Sequence, residues 1–455
     1  MKTIVFIGAG ISGLSAATCY QKKFPGDKII ILEKNPVAGG SFVSEQKSGF
    51  TFEYGPRGVL KTSHAFFHLL NETNGWHLLK PGKKTSSTRF IWYKNQLNQL
   101  GGNPFKMLFA PAMKGVIWSA LKERNLKNSC TDEDESLESF FTRRFGSHIT
   151  KVLLDAFISG VWAGDISKLS VRSAFPSLWE AEKKYGSVIR GLRAGKEESK
   201  RKKELELADF PHPETGKSRF YSTEGGIQNF AKHLAERFGD KLKTGGSVVS
   251  LLKNEKWEVE LSSGEVLLAD EVVFSTPASV TASLIEPVDQ ALAAELQKID
   301  YAPVVSVNLG FASTGTHQQG FGFLIPKIEN KPILGIIFNS GTFDGVSPAG
   351  GANYTVMIGG ACNPDAVKKS EAELISLALE SLDSFLGIKE KPVVTGVKLW
   401  PAAIPQYNVG HFKHVETITS QTSKHPGLHL LGNWKNGIGV NDCIKSGFNW
   451  VKSLN

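Results

Sequence analysis

The apolar positions of the first thirty-three residues change their period twice. "TIVFIG" is a short unbroken apolar run, "SGLSAATCYQKKF" repeats at helical spacing, and "KIIILE" is again apolar throughout. Unbroken runs suit strands covered on both faces, so the pattern predicts a β–α–β unit with parallel strands. A break follows near residue 75. Residues 96–210 are punctuated by Gly101, Gly102, Pro104 and Pro111 and then read as helices. "CTDEDESLESFFTRRF" predicts a helix capped by Thr131, with acids in the first turn where the helix dipole favours them. "ITKVLLDAFISGVWAG" predicts another, ending at glycine. Alternation returns over 246–276, where "EVVFSTP" is a strand stopped by proline. Residues 301–360 are strand-like and glycine-rich, and the tail from Gly427 predicts a strand, a glycine loop and a closing helix.

One helical stretch carries a second pattern. "NPFKMLFAPAMKGVIWSALKER" places apolar residues at 105, 108/109, 112/113, 116/117 and 120/121, with Lys106, Lys114, Lys122 and Arg124 beside them. An apolar stripe with basic flanks predicts an interfacial helix, or a pair broken at Pro111; a core helix is the alternative. No run reaches the 18 or so apolar residues that a spanning helix needs. The first strand begins beside Met1, so no signal or transit peptide is expected.

Composition narrows the classes. A chain of 455 residues predicts two or three domains. The net charge of +9 favours an acidic partner: nucleic acid, anionic lipid or an anionic substrate. The densest basic run, "KEESKRKKELE", is mixed with glutamates and lacks aromatics, which suits a solvated face rather than a nucleic-acid surface. Cys19, Cys130, Cys362 and Cys443 are far apart, so neither a disulfide framework nor a zinc site is expected, and a reducing compartment is.

The candidate chemistry starts at Gly8, Gly10 and Gly13, with Ala9, Ile11 and Ser12 between them. This GxGxxG pattern lies at a strand-to-helix junction, where glycines admit a pyrophosphate to a helix N-terminus. Glu33, twenty residues beyond Gly13, suits a ribose hydroxyl and disfavours a 2′-phosphate. A second pair, Gly39–Gly40 before Ser41, and a third glycine loop, "NGIGVND", add two further backbone approaches. Three such approaches point to a longer, resident ligand, and FAD fits better than NAD. His411 and His414 form an HxxH pair, but no further ligands have metal-site spacing, so no metal is expected.

"GAGISGLSAA" through "LEKNPVAGGS" resembles the flavin-dependent amine-oxidase-like superfamily. Within it, "EYGPRG", "GVWAGDISKLSVRSAFPSLWEAEKKYGSVIRGL", "GFGFLIP", "IPQYNVGH" and "GVNDCIKSG" resemble the oxygen-dependent, FAD-containing protoporphyrinogen oxidases. The resemblance runs in order from residue 4 to residue 447. It implies an α/β fold: a Rossmann-type FAD-binding domain (1–75, 215–285, 395–455), a mixed-sheet substrate domain (76–95, 286–394) and an α-helical membrane-binding domain (96–214). It also implies that Gly8 to Gly13, Glu33 and Lys34 line the ADP half of non-covalent FAD, with Gly39, Gly40 and Ser41 also binding the cofactor. Gly55, Pro56, Arg57 and Gly58 would lie nearer the flavin, the Val248 backbone at the adenine, and Gly437, Ile438, Gly439, Val440 and Asn441 at the flavin end.

The reaction implied is oxidation of protoporphyrinogen IX to protoporphyrin IX in haem biosynthesis, with three O2 reduced to three H2O2. The flavin takes hydride, so no catalytic side chain is expected. A flat macrocycle with two propionates asks for an apolar slot and a cation. Arg89 would meet a propionate, and Gly160, Phe321, Gly322, Leu324 and Met357 would line the slot. Core packing remains the alternative for Leu324 and Met357. Ser159 stands where some relatives carry arginine. A homodimer and a membrane-binding helical region are implied as well, and with no transit segment expected the cytoplasmic side of a membrane is the expected location. Coproporphyrinogen III oxidation and a flavin amine oxidase are the rival activities, and an FAD-binding membrane adaptor without turnover is the rival from another class.

Overall fold

The computed structural model describes residues 1–101, 110–126, 133–313 and 318–454. Its first sheet explains the unbroken apolar runs. Five parallel strands lie in the order Leu242–Thr244, Lys28–Glu33, Thr3–Ile7, Glu271–Phe274 and Leu428–Leu430. One face is covered by the first helix, Ile11–Lys23, and the closing helix, Val440–Ser453. These two cross so closely that a Cβ on Gly447 would stand 2.9 Å from the Ala16 nitrogen. The other face carries a three-stranded antiparallel meander, Val248–Lys253, Trp257–Leu261 and Val266–Ala269, together with the helices Ala278–Ile285 and Gln290–Gln297. Ile4, Val5 and Phe6 are fully buried as a result.

A second, mixed sheet has seven strands in the order Val394–Pro405, Tyr301–Phe311, Ala352–Gly359, Ile333–Phe338, Gly322–Leu324, Arg89–Tyr93 and Gln96–Leu100. Among its pairs, Gly322–Leu324 runs parallel to Arg89–Tyr93. The helix Glu371–Leu386 covers one face, started by a capping box between Ser370 and Glu373.

Residues between these sheets build a helical layer: Leu137–Phe145, Asp155–Trp162, Pro176–Tyr185 and Val188–Ala194. The first of these starts later than the sequence predicts. Ser136 caps it by accepting from the Ser139 N–H at 3.2 Å. Thr131, the predicted cap, lies outside the described residues. The preceding acids bond elsewhere: Asp134 accepts from Ser170 Oγ and the Gly410 N–H, and Glu135 pairs with Arg143. Residues 196–206, predicted as a solvated face, belong to the helix Lys196–Asp209.

The helix Val116–Asn125 is held to this layer by one buried acid. Glu123 is fully buried and accepts from Arg144 Nε at 2.9 Å, Ser187 Oγ at 2.8 Å and the N–H groups of Val188 and Ile189 at 2.8 and 3.0 Å. Such an anchor turns Ile117, Trp118 and Leu121 outward, where all three are exposed. A core stripe would have buried them. Residues 102–109, the first part of the predicted interfacial stretch, lie outside the described residues. Among the described residues, no helix is long and apolar enough to cross a membrane.

Candidate active site

The first strand ends in a turn only glycine adopts readily. Gly8 has φ of +101° and its N–H donates to the Leu32 oxygen at 2.8 Å. The helix then starts at Ile11 with Gly10 as its cap and no side chain over its first turn, so those N–H groups have no intrahelical acceptor. A Cβ on Gly13 would stand 2.3 Å from the Gly8 oxygen, which lets helix and strand meet this closely.

The second glycine pair faces the first. Gly39 donates its N–H to the Ala9 oxygen at 2.8 Å, and a Cβ on Gly40 would stand 3.0 Å from the Gly10 Cα. Glu33 is buried at the end of the second strand. Its Oε2 accepts from the Ala9 N–H at 2.9 Å, and its Oε1 from Asn35. Its carboxylate is therefore fixed to the glycine turn itself. Lys34 and Ser41 are exposed beside it. On the same side Gly245 donates to the Asn35 oxygen at 3.0 Å, and half-buried Val248 opens the meander just beyond.

Further along, the Gly55–Pro56–Arg57–Gly58 segment is squeezed between backbones. A Cβ on Gly55 would lie 1.9 Å from the Ser41 oxygen, and one on Gly58 would lie 2.1 Å from the Tyr221 oxygen. The C-terminal loop approaches from the helical side. Gly437 has φ of +118°, and its N–H donates to the Tyr407 hydroxyl at 2.9 Å, which in turn donates to the Asn433 oxygen at 2.5 Å. The Tyr407 ring stacks on His411 with centroids 4.1 Å apart. Ile438 packs on the helical layer, Gly439 caps the closing helix and Val440 begins it. Asn441 has a different visible partner. Its Oδ1 accepts from the Ala65 and Phe66 N–H groups at 3.1 and 3.3 Å, so it caps the helix His64–Glu72.

These features fit a long dinucleotide. Backbone approaches that no Cβ would permit, a helix N-terminus with free N–H groups and a buried carboxylate form the donor set FAD requires. Trp434 Nε1 is buried without a partner, yet its ring packs into the core beneath the parallel sheet.

The slot residues come together from four separate segments. Arg89 begins its strand beside Phe321, and the guanidinium lies over the Phe321 ring at 5.0 Å. The Phe321 N–H donates to the Thr88 oxygen at 2.9 Å, and Leu324 lies opposite Ile91 in the parallel pair. Gly322 has φ of +140°, with no room for a Cβ against the Ile336 oxygen. Gly160, on the helix Asp155–Trp162, faces Leu324, whose Cδ atoms would lie 2.5 Å from a Cβ there. Met357 lies one strand further across the sheet, Gly335 pairing with both it and Leu324. Arg57 Nη2 lies 3.9 Å from its Sδ, and Arg57 Nε reaches Asn339 Oδ1 at 3.3 Å.

Electrostatics separate these cations. Burial pulls the Arg57 guanidinium down to about 10, with the charge of Glu53 opposing that shift. Arg89 is exposed as a residue, and partial burial of its guanidinium also lowers it. Burial drives His411 down to about 4, so it is neutral at physiological pH. His411 and His414 do not converge, because His414 Nδ1 bonds Glu295 at 2.9 Å. Among the described residues no three His, Cys, Asp or Glu side chains gather around a metal position. Asn339, Glu53 and Tyr407 hold site atoms that motif spacing does not assign. Asn339 joins Asn353, Thr355 and Asn308 in a fully hydrogen-bonded buried network across strands, which no linear pattern encodes.

Residues 11–453 match the flavin containing amine oxidoreductase family. A protoporphyrinogen oxidase from Homo sapiens is 31% identical over 98% of this chain and 97% of its own. A coproporphyrinogen III oxidase from Bacillus subtilis is 27% identical over 98% of this chain and 96% of its own. A crystal structure from Exiguobacterium sp. 255-15 superposes with a TM-score of 0.83 at 21% identity, covering 99% of this chain and 98% of that one, which is a likeness of fold.

Proposed function

Because the chain belongs to the flavin containing amine oxidoreductase family, we propose that this FAD-dependent enzyme oxidises protoporphyrinogen IX to protoporphyrin IX, reducing three O2 to three H2O2. One observation supports the reading: the Arg89 guanidinium lies over the Phe321 ring at 5.0 Å, Leu324 of the same strand region faces Gly160, and Arg57, from the glycine-rich segment, touches Met357 Sδ. The Arg89 fork suits a propionate bidentately, and Phe321, Leu324 and Met357 offer a flat macrocycle its two faces. Gly160 and Gly322 keep the walls thin. Bound FAD supplies the acceptor for each electron pair and its transfer to O2. The side chains bind and orient, and Tyr407 and neutral His411 hold the C-terminal glycine loop in place without a proton of their own to give at pH 7.

The segments 1–75, 215–285 and 395–455 are assigned to the Rossmann-type FAD-binding part. Segments 76–95 and 286–394 are assigned to the substrate part and 96–214 to a membrane-facing helical part. Exposed Ile117, Trp118 and Leu121, with Lys114, Lys122 and Arg124 nearby, suit an anionic membrane surface, from which a poorly soluble substrate is delivered. Flotation with liposomes tests that face, with Trp118→Ser as control. The homodimer rests on the family resemblance alone.

Coproporphyrinogen III is the second substrate reading, supported by the likeness to the B. subtilis enzyme. Flavin-loaded protein given either porphyrinogen in air distinguishes them. Faster porphyrin fluorescence from protoporphyrinogen IX supports the first reading, and turnover of coproporphyrinogen III alone supports the second. An amine oxidase would release peroxide from amines and form no porphyrin.

A further inference from the structure

A polar seam enters the molecule between the hairpin Ser44–Lys47/Phe50–Glu53 and the turn at Gly225–Gly226. Its outer part is a surface cavity of about 490 Å³ lined by Ser44, Gln46, Thr51, Lys80, Asn229 and Lys232, among others. Its inner part, about 20 Å³, shares Thr51, Lys80 and Gly225 with the outer one and reaches Glu53, Arg57 and Asn339. That inner volume holds about one water. Arg57 then touches Met357 Sδ, which places the inner end of the seam against the proposed slot.

Glu53 lines the inner part and reaches the outer one through Ser44. It is buried, its Oε2 accepts from Ser44 Oγ at 2.6 Å and its Oε1 from the Ile227 N–H at 2.8 Å. The groups facing it are few. Arg57 comes from its own segment, Ser44 from the paired strand, and Ile227 from the turn. Lys80, on the strand Leu79–Pro81, is already paired with Glu224 at 3.0 Å. The remaining lining is neutral: Thr51, Ser222, Thr223, Asn339 and Thr342. Arg57 makes its bonds to neutral oxygens of Asn339, Gly55 and Glu53 at 3.3–3.5 Å, so its charge is free to act on the Glu53 carboxylate.

We propose that Glu53 is a proton-relay residue, holding the proton that each oxidation step frees and exchanging it with the outer cavity through Ser44. The proposal rests on the porphyrinogen reading. In each step the substrate loses two electrons and two protons, one of the protons from a pyrrole nitrogen, and one O2 gains both electrons and both protons as H2O2. No proton is released overall, yet one must be held between the two events. Burial raises the Glu53 carboxyl to about 7, against the lowering by Ser44, Ile227 and Arg57, so both of its forms are populated near neutral pH.

The test uses FAD-loaded protein. Infrared difference spectra without substrate should show a protonated carboxyl stretch titrating with a midpoint between pH 6 and 8, absent in Glu53→Gln. With protoporphyrinogen IX, Glu53→Gln should lower kcat tenfold or more and remove the near-neutral limb of the kcat–pH profile. Ser44→Ala, which leaves the carboxyl in place, should lower kcat severalfold and raise the solvent isotope effect, with KM and bound flavin unchanged. Should Glu53→Gln misfold, Ser44→Ala and the wild-type titration decide. A carboxyl that does not titrate in this window, or variant profiles that superimpose on wild type, would overturn the relay alone. Absence of porphyrin from unmodified protein overturns the functional reading and the relay with it.

Discussion

At Gly13 and Gly55 the atom that forbids a methyl group is a backbone carbonyl oxygen, 2.3 and 1.9 Å from where the Cβ would stand. At Gly160 the obstacle is the tip of the Leu324 side chain, at 2.5 Å. The first kind of contact cannot relax without moving a strand; the second relaxes by a rotamer change. The cofactor side is therefore built from backbone and tolerates little. The slot side mixes the two: Gly322 meets the Ile336 carbonyl oxygen at 2.3 Å, but Gly160 meets only a side-chain tip, and the side chains of Phe321, Leu324 and Met357 can be retuned, which is what a family of one fold and several substrates requires.

The largest effect should come from breaking the rigid side. Gly55→Ala forces the Ser41 carbonyl away, and we expect protein without bound flavin and more than ~3 kcal/mol less stable. Flavin absorbance per polypeptide and a denaturant titration read both. If Gly55→Ala kept full flavin and stability, the contrast would fail.

The helical layer behind the slot has one rigid point of its own. Glu123→Ala removes one of the two buried carboxylates on Arg144, Glu182 staying at 3.2 Å, and leaves the Val188 and Ile189 N–H groups unmet, so it should cost about 2–4 kcal/mol. A melting curve measures it, and flavin content in the surviving folded protein should stay intact.

A pH effect of comparable size belongs to the cofactor side. His411 has its folded-state value held near 4 by burial, against 6.5 for the ordinary imidazole. Between those values the unfolded chain binds a proton that the folded one refuses. Stability should be level above pH 6.5 and fall as pH drops towards 4, by ~3 kcal/mol in all. Melting temperature against pH shows this, and His411→Gln should flatten that share of the loss.

The smallest effect tests the adaptable side. Arg89→Ala removes one charge-assisted contact, worth about 1.5–3 kcal/mol, so KM should rise roughly 10- to 100-fold with flavin content unchanged. An unchanged KM would remove Arg89 from the slot.

The same contrast sets what the sequence reveals. Gly8, Gly10, Gly13, Glu33 and Gly39–Gly40 are legible because a close backbone approach demands glycine at fixed spacing, and the strand and helix around them follow from period alone. Arg89, Gly160, Phe321 and Met357 come from four distant segments, so only resemblance nominates them. Asn441 shows what the sequence leaves out: a residue in the first turn of the closing helix also caps a neighbouring one. Ser136 caps the helix Leu137–Phe145 while Asp134 and Glu135 before it are engaged by Ser170, Gly410 and Arg143, tertiary partners that no local rule contains. Asn339 is hidden for the same reason, and Glu53, although it opens "EYGPRG", shows its buried partners Ser44 and Ile227 only in the fold.

Anaerobic mixing of the flavin-loaded protein with protoporphyrinogen IX tests the central claim most directly. The account predicts rapid loss of the oxidised-flavin absorbance, and, once air is admitted, porphyrin fluorescence with three H2O2 formed per porphyrin. Flavin that stays oxidised under protoporphyrinogen IX but is bleached by a small amine would contradict it.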